Sequence, residues 1–116
     1  MGYRSEVVFA CDSDAVLILF ACCEKQPALK ELLFVDADHK MLGDYDSSGS
    51  YLFAWSGIKW YPHTPWVAAF DEMIEKIEAK LGEEAYRFVR TGESHDDNEV
   101  VGWGFEHIII SRSIEY

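Results

Sequence analysis

A chain of 116 residues is long enough for one domain around a single core, and 49% hydrophobic with 15% aromatic residues is too apolar for a disordered segment. Ten basic against 21 acidic residues give a formal net charge of −11. That balance argues against direct binding to nucleic acid or to anionic membranes, both of which are held through Lys and Arg. Its natural complement is a basic protein surface.

Taken in chain order, Tyr3–Cys11 alternates Tyr3, Val7, Phe9 and Cys11 against Arg4, Glu6 and Val8, which predicts a first strand. Asp12 or Ser13 then caps a helix through Glu24, because a short oxygen side chain satisfies free backbone N–H groups. Pro27 opens a further helical turn or two over Ala28–Leu33. A hairpin follows, His39–Asp46 pairing with Tyr51–Tyr61 across SSGS, and Gly57 marks a bulge or kink in its second arm.

The clearest helix has Thr64 as N-cap, Pro65 in its first turn and Gly82 beyond its end. Trp66, Phe70, Met73, Ile74, Ile77 and Leu81 form its core stripe, and its charged residues read as a solvated face. Two last strands are expected at about Ala85–Arg90 and Phe105–Ser113. The order predicts an α+β sandwich of ferredoxin-like type, with an antiparallel sheet of four to five strands and two main helices on one face. The opposite face would be open, carrying Arg4, Glu6, Arg87 or Arg90, Glu106 and Arg112. An open face or an unpaired edge strand also offers a homodimer contact.

Cys11, Cys22 and Cys23 are odd in number, form no C-x-x-C pair and sit in apolar stretches, as buried thiols in a reducing compartment do. The start MGYRSEVV lacks an apolar leader, and the run from Ala15 to Cys23 is too short to span a bilayer. A cytoplasmic location, in a bacterial host cell if the resemblance below holds, is therefore expected.

The start MGYRSEVV, the central GIKWYPHTPWVAAF and the closing YRFVRTGESHDDNEV…IIISRSI resemble a group of small tailed-phage and prophage proteins. The resemblance implies an accessory protein that blunts host defences or redirects host enzymes, of anti-CRISPR type in size and acidity. It implies no catalytic residues.

Chemistry-bearing candidates are few. Asp44–Gly49 copies the opening of a calcium loop, but Trp55 stands where a bidentate Glu would close it, so a polar turn is the better reading. The loop GESHDDNE gathers Glu93, His95, Asp96, Asp97 and Glu99, at a spacing that defines no coordination shell. The histidines are scattered, and no phosphate loop or zinc spacing occurs. Neither a catalytic residue, a metal nor a cofactor is expected. The expected function is non-enzymatic: Glu93, Asp96, Asp97 and Glu99, supported by Trp60 and Tyr61, contact the basic surface of a bacterial host protein or defence complex, partly imitating phosphates. One alternative is a nucleotide-signal binder using Arg4, Arg87, Arg90 and Arg112 on the open face. A second is a metal-dependent hydrolase built on the acidic loop.

Overall fold

The computed structural model describes residues 4–45, 48–93, 97–110 and 114–116. It is an α+β structure in which β1 (Ser5–Cys11), β3 (Tyr51–Ile58) and β4 (Tyr86–Thr91) form the centre of a five-stranded antiparallel sheet. The edges are β2 (His39–Leu42) and β5 (Asn98–Val101), giving the order β2-β3-β1-β4-β5. Two crossovers cover one face: α1 (Ser13–Lys25) with α2 (Pro27–Glu31) after β1, and α3 (Pro65–Leu81) after β3.

The caps act largely as expected. The Asp12 carboxylate accepts the Ala15 N–H at 2.9 Å, closing the first turn of α1. Thr64 is the N-cap residue of α3, but its hydroxyl donates to the Tyr61 carbonyl at 2.8 Å instead of capping. After α2 the chain loosens into a π turn over Leu32–Asp36. Carbonyls in this wider turn find side-chain donors: Trp55 Nε1 donates to Leu32 at 3.0 Å and Lys40 Nζ to Phe34 at 2.9 Å. The bulge expected at Gly57 is present, since the β1–β3 register slips between Ser5 and Val7 and Gly57 has φ +67°.

The main core lies between the sheet and the helices. Val7, Phe9 and Cys11 of β1 meet Leu19, Leu33, Phe70, Met73 and Ile77, all essentially inaccessible to solvent. Trp60 also belongs here, with ring centroids of Trp55, Trp66, Phe70 and Phe88 5.1–5.8 Å away. Aromatic rings at such separations add edge and stacking attraction to their burial. The three thiols are buried, and burial pushes Cys11 well above the ordinary thiol range and Cys23 up to about 11.

Two expectations about the end of the chain are corrected. The strand after the acidic loop is β5, which begins within the loop, and no long strand fills residues 105–113 among those described. Instead β6 (Ile109–Ile110) and β7 (Ile114–Glu115) pair as a separate two-stranded ribbon. Gly102 and Gly104 turn the chain off the sheet. Gly102 has φ +79°, and a Cβ at either position would collide with backbone oxygen, of Tyr86 and Glu84 respectively.

The second correction follows from the first. The face away from the helices is not open, because the C-terminal segment lies across it. Val8, Ala10, Leu52, Ala54 and Val89 of the sheet pack with Tyr45, Ile108 and Ile114 in a second buried cluster. Arg87 fastens this cover, donating from Nε and Nη2 to the Ile108 carbonyl at 3.1 and 3.0 Å and from Nη1 to Gly102 at 3.3 Å. Tyr45 fastens it from the other side, its hydroxyl donating to the Tyr116 carbonyl at 2.9 Å while 2.6 Å from His107 Nε2. A phenol has one proton, so His107 Nε2 must carry the hydrogen of the second bond.

Candidate functional site

The acidic loop is a tight β4–β5 connection, with the Gly92 N–H donating to the Asp97 carbonyl at 2.7 Å. Arg90 and Glu99 face each other in register, and Arg90 Nε donates to Glu99 at 2.9 Å. The same guanidinium reaches Asp97 at 2.7 and 3.3 Å and the Ser5 hydroxyl at 3.1 Å. Glu93 accepts the Arg4 backbone N–H at 2.8 Å. So Asp97 and Glu99 share one cation, and Glu93 helps hold the start of β1. Asp96 and His95 lie outside the described residues.

Trp60, expected at a contact surface, is only 7% exposed and fills the core. Tyr61 is half-buried and stacks on exposed His63, with centroids 5.8 Å apart. The arginines of the alternative reading are not gathered into an anion site. Arg87 and Arg90 are engaged as described, and Arg4 Nη1 donates to the Gly57 carbonyl at 2.6 Å. The recess of about 360 Å³ beside Arg4 is also lined by Asp36 and Asp38. Arg112 lies outside the described residues. Of the calcium-like segment, Asp46 and Ser47 are likewise outside them, and Tyr45 points into the second core. Among the described residues, no three His, Cys, Asp or Glu side chains are placed to hold one metal ion. No described helix is long and apolar enough to cross a membrane.

What the structure does bring together is a longer acidic row. At about 100° per residue, Asp71, Glu75 and Glu78 fall on one flank of α3 and Lys76 and Lys80 on the other, with the buried stripe between them. The acidic flank lies beside β5. Asp71 is held above the usual carboxylate range by burial first, then by the charges of Glu99 and Glu75. Glu78 is raised too, by a shared-proton bond with Glu83, then burial, then the charges of Glu83 and Glu75. Tyr86, whose enclosed hydroxyl has no hydrogen-bond partner among the described residues, is pushed up to about 12 by burial and then by Glu78 and Glu83.

The row therefore runs Glu99, Asp71, Glu75, Glu78, Glu83, each acid within electrostatic reach of the next. Comparison with family models, curated proteins and solved structures finds no match. Function is therefore read from the chain's own residues. The sequence reading took the α3 carboxylates as a solvated face. Their i, i+4, i+7 spacing on one flank was a visible signal, but its continuation through Glu99 depends on where β5 lies.

Proposed function

We propose that this chain is a non-enzymatic binding protein that docks its acidic row on a basic surface of a bacterial protein. The observation that carries the reading is the mutual crowding of carboxylates from Glu99 to Glu83, which raises the proton affinity of Asp71 and Glu78. Like charges gathered at a surface cost free energy in the isolated protein, and a partner's Lys and Arg would relieve that cost. Along α3 the carboxylates recur every 4.5–6 Å by helical rise, roughly, a regular line of negative charge suited to a groove that otherwise holds phosphates. The resemblance to phage accessory proteins supplies the class of partner: a host or defence protein, in the manner of an anti-CRISPR inhibitor. We also assign the sandwich to the ferredoxin-like type. The order β2-β3-β1-β4 with a helical crossover after β1 and after β3 supports this, β5 being an added edge.

The test neutralises the row without touching the Arg90 pair, as Asp71→Asn, Glu75→Gln, Glu78→Gln and Glu83→Gln together. An immobilised parent chain should retain a stoichiometric protein from bacterial lysate at low salt and release it as screening increases. The quadruple variant should remain folded and lose that protein. Equal retention by parent and variant refutes the row as the binding surface.

A further inference from the structure

The opposite flank of α3 has the opposite character. Between α1 and α3 runs an open groove of about 530 Å³, floored by Ile18 and Cys22 and walled by Leu17, Ala21 and Ala79. Leu17 is 70% exposed, an unusual position for a large aliphatic side chain with no cover. Lys25, Lys76 and Lys80 rim the groove, and no carboxylate lines it. These are three of the ten basic residues in a chain with 21 acidic ones, yet none makes an ion pair among the described residues. The nearest acid is Glu72, in the adjoining recess with Lys25 and Lys76. Lys25 and Lys80 sit in the last turns of their helices, where a cation complements the helix dipole. Lys76 does not, and the dipole gives no reason for all three to surround an apolar furrow.

We propose that the α1–α3 groove docks an acidic amphipathic helix of a partner protein. From Leu17 to Lys25 the groove is about 12 Å long by helical rise, the length of roughly two helical turns. A helix laid there would press apolar residues at i, i+3 or i+4 and i+7 against Leu17, Ile18 and Ala79. Its carboxylates would meet Lys25 and Lys76 near one end and Lys80 near the other. Charge complementarity decides the sign of the partner: a basic helix would place cation against cation in the one stretch of this surface where lysines stand unpaired. The inference is independent of the acidic row, which lies on the far flank of α3.

The probe is a fluorescein-labelled peptide of Leu and Glu with leucines at helical spacing, compared by anisotropy with a scrambled peptide of the same composition. The striped peptide should bind the parent, and the scrambled one should not. Lys76→Glu with Lys80→Glu should weaken binding by about tenfold or more, as should Leu17→Ala in combination with them. All three positions are exposed, so the urea midpoint should be unchanged. Neutralising Asp71 and Glu75 should leave peptide binding intact. The proposal is overturned if the striped peptide does not bind, or if the scrambled one binds equally well. It is also overturned if decanoate binds while the striped peptide does not, which would make the groove a lipid site. A parent dimer that the Lys76→Glu variant dissociates would overturn it too, because a second copy would then fill the groove.

Discussion

Ile108 and Ile109 are adjacent and chemically identical, yet one is fully enclosed and the other is 46% exposed. Replacing each in turn by alanine measures the cover over the second sheet face with its own control. Ile108 packs in the cluster that contains Val8, Ala10 and Val89, and its carbonyl receives two hydrogen bonds from Arg87. Truncating a buried isoleucine removes its transfer free energy and leaves a cavity, at a cost of about 2–5 kcal/mol. A central value of about 3 kcal/mol is a large part of the total stability of a small domain. With a urea dependence of about 1.5–2 kcal/mol per molar, the unfolding midpoint should fall by about 1.5–2 M. Ile109→Ala should stay within about 0.5 kcal/mol of the parent. Urea unfolding followed by tryptophan fluorescence gives both numbers. Equal, small losses for the two variants would show that the segment does not seal this face, and the structural account of the second core would fail.

Two further outcomes follow from the same geometry. Asp71 has a folded-state pKa above its unfolded value, so the native state binds its proton more readily. Its contribution is then most favourable below the ordinary carboxylate pKa and is lost as pH rises through the raised one. Asp71→Asn should therefore be more stable than the parent near neutral pH, with the difference vanishing in acid, and Glu99→Gln should lower the Asp71 pKa in an NMR titration. For the Tyr45 clasp, nitrogen-15 spectra should show His107 as the Nε2–H tautomer in its neutral form, and Tyr45→Phe should cost about 1 kcal/mol. An Nδ1–H tautomer would contradict the donor assignment.

The legible part of this fold was local. Asp12, Pro27, Thr64 and Gly82 punctuate the helices because capping chemistry acts within one turn, and the stripe from Phe70 to Ile77 declares the core face of α3. What could not be read was placement that depends on sequence-distant partners. Val8 and Ala10 alternate with the main-core residues of β1, which sequence alone cannot distinguish from an exposed face; only Ile108 and Ile114 lying above them make the difference. Trp60 sits in a segment of the kind that anchors interfaces, but its neighbours Trp55, Phe70 and Phe88 come from three other elements. The charge of GESHDDNE was plain. Its partial neutralisation by Arg90 required the register of β4 on β5.

The cover of the second core also orders events in time. Val8 and Ile108 stand 100 positions apart, and all five strands of the sheet precede Ile108 in the chain. During synthesis the sheet can pair and its helices can dock while Val8, Ala10, Leu52, Ala54 and Val89 still lack their lid. Such an early sheet has a sticky apolar side, the kind of transient surface that chaperones hold and that aggregates when crowded. Closure of the Arg87 and Tyr45 fastenings would then be the late step of folding, reached only after contacts of the longest range in the molecule are made.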